Sequence, residues 1–437
     1  MRQVRRAPPP VARNPGRTTV FVAPMSPLTL LLRLSRSRLP LVLALAALLL
    51  AAAGTAGARS RRAPPLRVPH GWTGMVVSQD QLGSPAQTGR EWDRMVSSGV
   101  ESVRAAFYWS SAQAHHDATG VPPTSLLDGT YELDARRIPT AYGHMDTVVE
   151  ANARRGLTLL PVVLGAPEWA AMDPQYSISR PKDPADYANF LTDLVQRYGP
   201  NGTFWNSHPD IPKRPIREWQ IWNEPNIDFF WHAPHVAGYP ALLRAAHDAI
   251  KQADPGASVI LAGLSNSKQS LSWRSLAELY GAGVGPLFDA VTVHPYSLMP
   301  KNVMRNIANV RAVMRRYRDA GKPLWVTELS WPSARGKSDY NAYNFNVTEA
   351  QQAQKIREIY PMLARARRSL GIARVYWYTW IASDRGRGDP FDYAGLRAAA
   401  PSDSTDSRAK PAFGAWQRAV LSLQGCRRPK LDVNRCG

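Results

Sequence analysis

The sequence is short of cysteine, histidine and lysine, and its N-terminal stretch has no acid at all. Only two cysteines occur in 437 residues, Cys426 and Cys436, both at the C-terminal tail. That excludes a disulfide-dense scaffold and a cysteine-only zinc site. In an oxidising compartment the two can close a small loop around the tail. The nine histidines form no cluster with ligand spacing, so neither a metal nor a cofactor is expected. Lysine supplies ten of the 54 basic residues and arginine the rest. No short Lys/Arg block is interleaved with aromatics, so nucleic acid is not an expected partner. No Gly-rich phosphate turn follows the first apolar strand, which argues against a dinucleotide fold. There is no internal repeat.

Residues 1–58 hold eight arginines and neither Asp nor Glu, and run into an apolar stretch at 39–53 that ends on Gly54, Thr55, Ala56, Gly57 and Ala58. A basic lead, a short greasy core and small residues at its end are the pattern of a secretory signal, with cleavage expected after Ala58. The alternative, a retained anchor, would need about 20 apolar residues. The Pro/Arg-rich segment 1–24 is unlike a signal, so Met25 is the expected start. Removing the eight arginines from the formal charge of +20 leaves +12. A basic surface can favour anionic polymers, but the arginine excess is as readily a compositional bias. The expected organisation is an extension and signal at 1–58, an Arg/Pro-rich linker at 59–69, one catalytic domain at 70–420 and a tail at 421–437. The expected location is extracellular, with no stable membrane insertion once the signal is removed, and the expected state is a monomer.

Eight short apolar or β-branched runs recur beyond Gly71, at 71–79, 102–109, 157–165, 217–225, 258–265, 290–297, 323–331 and 375–380. Helix-like segments lie between them at 90–98, 138–155, 183–198, 239–253, 271–281, 301–320 and 348–370. In the last, Thr348 with Glu349 opens the helix, Gly371 closes it, and Pro361 is expected to kink it. Eight β/α repeats favour a closed (β/α)8 TIM barrel, an α/β fold, over an open doubly wound sheet. The longer inserts after strands two, three and eight would wall a cleft at the C-terminal strand ends.

Two strands end in chemistry. Glu218-Trp219-Gln220-Ile221-Trp222-Asn223-Glu224-Pro225-Asn226 is an apolar run closed by an amide, a carboxylate and a proline. Leu324-Trp325-Val326-Thr327-Glu328-Leu329-Ser330-Trp331-Pro332 repeats the design. Glu224 and Glu328 thus fall on strands four and seven, facing each other across the barrel mouth. Opposed carboxylates suit glycosidic cleavage, one protonating the leaving oxygen while the other attacks the anomeric carbon. A lone strand-end Glu is more often a cap or surface residue; two with these neighbours reverse that expectation.

These two motifs resemble the signature strands of clan A glycoside hydrolases, with families 39 and 5 the most similar. The likeness extends in order from about Gly71 to Trp416. It implies a retaining hydrolase with Glu224 as acid/base and Glu328 as nucleophile, their carboxyl groups about 5–5.5 Å apart. It further implies that Arg104 keeps the nucleophile ionised and that Asn223 holds the sugar 2-hydroxyl. His294 and Tyr296 would line the site, with Tyr296 in reach of Glu328. A strand-eight Trp, Trp377 in preference to Trp380, would floor the reacting sugar, since residues three apart cannot both face inward on a regular strand. The plainer readings are a satisfied structural histidine for His294 and a partner for a loop carboxylate for Arg104. Trp109, Trp169 and Trp231 are weaker sugar-binding candidates. The loop carrying Asp384, Arg385, Arg387 and Asp389 could read a charged sugar, although a solvated loop is the plainer reading. The expected partner is a carbohydrate, possible sources including cell-wall or extracellular polysaccharide. A catalytically silent carbohydrate-binding barrel and a transglycosylase are the alternative functions.

Overall fold

In β4 (Glu218–Ile221), Trp219 and Ile221 pack outward against the helices while Gln220 points inward. That alternation is the period-two rule of a strand, repeated around a computed structural model in which residues 66–77, 85–267, 270–339, 345–399 and 406–425 are described. The N-terminal extension, the proposed signal and both cysteines lie outside the described residues.

The other barrel strands are β1 (Thr73–Val77), β2 (Ser102–Tyr108), β3 (Thr158–Leu164), β5 in two pieces (Ser258–Ile260 and Leu264–Ser265), β6 (Val291–His294), β7 (Leu324–Val326) and β8 (Ile372–Trp377). All pairings among them are parallel. The order runs from the first piece of β5 through β4, β3, β2, β1, β8, β7 and β6 to its second piece. A sheet that begins and ends on the same strand is closed, so the chain is a (β/α)8 barrel. Bridges Asn223–Gly263 and Ile260–Ala290 stitch the seam at β5. Val76, Leu160, Ile260, Trp325 and Tyr376 fill the lumen, as such barrels require.

Helices α1 (Pro85–Ser97), α2 (Gly143–Arg155), α3 (Pro184–Tyr198), α4 (His235–Ala253), α5 (Ser272–Gly281), α6 (Pro300–Arg316), α7 (Glu349–Leu370) and α8 (Pro411–Gln424) follow their strands in turn. The sequence reading found seven and missed α8, although Pro411 at its first turn and Gly425 beyond its end mark it. In α7 the capping partner of Thr348 is Gln351 rather than Glu349, and the helix runs through Pro361 as one element.

Strands β4 and β7 are shorter than their sequence runs suggest, ending at Ile221 and Val326. Beyond Ile221 the backbone leaves the ladder: Trp222 and Glu224 take φ of +68° and +41°, a left-handed conformation that is uncommon for bulky side chains and concentrates at functional sites. Strict alternation would turn Asn223 and Glu224 to opposite faces. The break lets both face the barrel mouth.

Candidate active site

The C-terminal strand ends open into a cleft of about 1700 Å³, with Arg104, Asn223, Glu224, Tyr296 and Glu328 among its walls. The residues that sequence places on four different strands meet there through one hydrogen-bonded set. Arg104, buried on β2, donates from Nη1 to Glu328 Oε1, from Nη2 to Asn223 Oδ1 and from Nε to Gln220 Oε1, each at 2.7 Å. Tyr296 donates its hydroxyl to the other oxygen of Glu328 at 2.8 Å. Both oxygens of Glu328 are therefore held, and the carboxyl is fixed in place.

Its charge is fixed as well. Burial pushes the Glu328 carboxyl up, but His294, Arg104 and the Tyr296 hydroxyl together outweigh burial and hold it below its ordinary range. The Tyr296 hydroxyl is driven the opposite way, well above the usual phenol range, first by burial and then by the charges of Glu328 and Glu224. It stays a donor.

Glu224 has different company. His294 Nδ1 lies 2.5 Å from Glu224 Oε1 and 3.5 Å from Glu328 Oε2, while Nε2 lies 3.0 Å from Thr327 Oγ1. His294 is fully buried beneath the two carboxylates and does not border the cleft. The reading of His294 as a substrate contact is corrected: its side chain is consumed in holding the acids. Gly263 makes the room, since a Cβ there would sit 2.0 Å from His294 Nε2.

The expected aromatic floor also changes identity. Trp377 is fully buried, outside the lumen, with its ring centroid 6.3 Å from that of Trp331, and Trp380 is turned away to donate to Glu91. Neither borders the cleft. On β8 the inward positions are those of Tyr376 and, past the strand end, Tyr378, so the Trp377 assignment fails by one residue of register. Tyr378 borders the cleft instead, with Phe391 at 5.5 Å and Phe345 nearby, part of an aromatic wall that also includes Tyr296.

Trp109, Trp169 and Trp231 do not border the cleft. Asp384 of the loop after β8 is taken up by Arg408 and Lys410, each at 3.2 Å. Arg387 pairs with Asp339 at 2.6 Å. Asp389 alone of the four charged residues singled out in this loop borders the cleft. Gln220, which the sequence reading did not single out, is held by donating to Leu261 O and Thr292 Oγ1 at 3.2 and 3.1 Å. Its signal was legible: a polar side chain at an inward position of an otherwise apolar strand.

One oxygen or nitrogen from each of Glu224, His294 and Glu328 lies within 4.8 Å of the others, a spacing a cation could bridge. Arg104 already supplies the positive charge on Glu328 at 2.7 Å, and the remaining contacts are internal hydrogen bonds. The donor set is complete as a hydrogen-bonded acid pair.

Residues 216–413, from the entry to β4 to the start of α8, match the model of glycosyl hydrolase family 53, a segment containing both carboxylates. The chain resembles the clan A glycoside hydrolases. Its fold is similar to that of a family 39 glycoside hydrolase from the gut symbiont Bacteroides cellulosilyticus WH2, with TM-score 0.56 and 18% identity over 80% of this chain and 63% of that one. It is also similar to a monomeric β-xylosidase from Caulobacter crescentus CB15, with TM-score 0.54 and 18% identity over 81% of this chain and 68% of that one. A family 51 α-L-arabinofuranosidase from Bifidobacterium longum gives TM-score 0.54 and 13% identity over 82% and 75% of the respective chains. The chain thus spans 63% of the length of the first of these proteins. No curated protein matches it.

Proposed function

We propose that this chain is a secreted retaining glycosidase that hydrolyses O-glycosidic bonds of a poly- or oligosaccharide by double displacement. The observation that carries the reading is the spacing and inequality of the two acids. Glu224 and Glu328 have carboxylate oxygens within 4.8 Å of each other, close to the separation of about 5–5.5 Å found in retaining enzymes and short of the 6.5–9.5 Å that leaves room for a water in inverting ones. Glu328, held ionised by Arg104, is suited to attack the anomeric carbon. Glu224, against His294, is suited to protonate the departing oxygen and then to take the proton of the incoming water. Asn223, oriented by Arg104 at 2.7 Å, is suited to bind a sugar hydroxyl beside the reacting carbon.

Supporting the class are the family match across both acids and the likeness of fold. The basic-apolar N-terminal segment supports export, and the two tail cysteines suit an oxidising compartment. Among the described residues no helix is long and apolar enough to cross a membrane. A carbohydrate is the partner and a monomer the expected state.

The test is to screen 2,4-dinitrophenyl 2-deoxy-2-fluoroglycosides of common pentoses and hexoses, in both anomeric forms, for time-dependent labelling. A glycosyl adduct on the peptide carrying Glu328, together with retained configuration in the first-formed product by NMR, is the expected result. Inverted product, or an adduct on another carboxylate, would overturn it.

A further inference from the structure

The chain carries a formal charge of +20, yet its cleft has the opposite sign. Five of the carboxylate residues border the cleft against two arginines. One of those arginines, Arg104, is committed to Glu328, Asn223 and Gln220. The other, Arg274, lies on α5 one turn from Glu278, which also borders the cleft. The other arginines among the described residues do not border the cleft.

The wall beside Glu328 makes the separation plain. Its loop after β8 is rich in cations, but Arg387 is paired with Asp339, and Arg408 and Lys410 with Asp384, all away from the cleft. Asp389 faces into it. One Asp389 oxygen accepts from the backbone of Phe391 at 2.9 Å, and among the described residues no cation pairs with this carboxylate. Phe391, two positions on, packs edge-on against Tyr296, whose hydroxyl binds Glu328, and against Tyr378. The Tyr378 hydroxyl is driven up first by burial and then by the charges of Glu328 and Asp389. A sugar seated over Glu328 would meet an aromatic wall and, on the same side of the cleft lining, a carboxylate with no cation partner among the described residues.

We propose that Asp389 is a specificity-determining residue that makes this cleft select neutral sugars, by accepting hydrogen bonds from their hydroxyl groups, and reject sugars that carry a carboxylate. Asp389 is exposed at the cleft wall, where it repels a like charge at short range and salt screens the repulsion, while an ionised acceptor strengthens a hydroxyl hydrogen bond. The inference rests on the glycosidase reading and deepens it: the basic character of the protein does not mark an anionic substrate.

The experiment uses the full chain and matched pairs of 4-nitrophenyl glycosides in both anomeric forms, glucoside with glucuronide and galactoside with galacturonide. The neutral member of a cleaved pair is expected to have kcat/KM at least about tenfold higher. In Asp389→Asn the neutral-to-acidic ratio should narrow by about tenfold, chiefly through KM, and 0.5 M NaCl should narrow it in the wild type because salt screens the repulsion. Equal or faster cleavage of the acidic member, or an unchanged ratio in Asp389→Asn, would overturn the proposal while leaving a glycosidase in place. Cleavage of no glycoside would count against the glycosidase reading itself. Calorimetric titration with xylo-oligosaccharide against oligogalacturonide then decides the charge preference alone, and tighter binding of the galacturonide would overturn it.

Discussion

Two arginine–glutamate pairs span this barrel, one at each end, and they differ in how the arginine is shared. At the N-terminal end Arg374 of β8 gives both of its terminal nitrogens to Glu218 of β4, and its guanidinium lies 4.3 Å from the Trp325 ring. The fork of one matches the fork of the other, so little is left for anything else. At the C-terminal end Arg104 divides itself among Glu328, Asn223 and Gln220, and Glu328 turns its second oxygen to Tyr296. A carboxylate held by two different donors at the edge of a cleft keeps its place and its charge while its face remains open to a reactant. The same ion-pair chemistry serves the fold at one end and reactivity at the other.

Breaking the upper arrangement should cost activity, and breaking the lower should cost stability. The largest effect is expected for Glu328→Ala: a loss in kcat of at least about 10⁴-fold, with the circular dichroism spectrum kept, and with any azide-rescued product a glycosyl azide of inverted configuration. Glu224→Ala should lose about 10²- to 10⁴-fold, yet regain activity with azide on substrates with good leaving groups, read as a glycosyl azide product. A retained glycosyl azide from Glu328→Ala, with an inverted one from Glu224→Ala, would exchange the two roles.

Arg104→Met sharpens the comparison through pH. Glu328 in the folded chain stays charged below the ordinary carboxylate range, so the pair contributes stability above the unfolded carboxyl value and loses it as pH falls through the lowered one. Without Arg104 the acid limb of kcat/KM should move to higher pH, with kcat at neutral pH down about 10²-fold. The smallest change in rate belongs to the lower end. Arg374→Met should leave kcat/KM within about twofold while lowering stability by about 2 kcal/mol, measured in urea. A rate loss rivalling that of Arg104→Met would erase the distinction between the two ends.

The barrel and its two acids were legible because their signals are local: apolar runs that end in Asn223-Glu224-Pro225 or in Thr327-Glu328, and periodic helices between them. Arg104 and Tyr296 were legible only through the resemblance of their strands to those of clan A enzymes, and the structure brings both onto Glu328. What stayed hidden depended on orientation. Trp377 and Tyr378 are adjacent, and only the register of β8 against β1 and β7 decides which one sees the cleft. His294 sits on β6 facing the lumen, but its ring is seated by Gly263 of β5 and held by Glu224 of β4, partners on other strands that its own neighbours do not announce. The partners of Asp384 and Arg387 come from residues far along the chain, and composition cannot tell which charges of one loop are already spent. The short strand ends at Ile221 and Val326 belong with these, since a sequence run does not show where a ladder gives way to a working edge.

The split in β5 carries a consequence of its own. The ring is clasped there by two fragments of three and two residues, each laddered to one neighbour, with the single bridges Ile260–Ala290 and Asn223–Gly263 completing the seam, whereas β2 and β3 share a seven-residue ladder. Amide protons at this clasp should exchange with solvent sooner than those of β2 and β3. Because Gly263, between the fragments, accepts the backbone amide of Glu224, a momentary parting of the ring would loosen Glu224 before it touched Glu328.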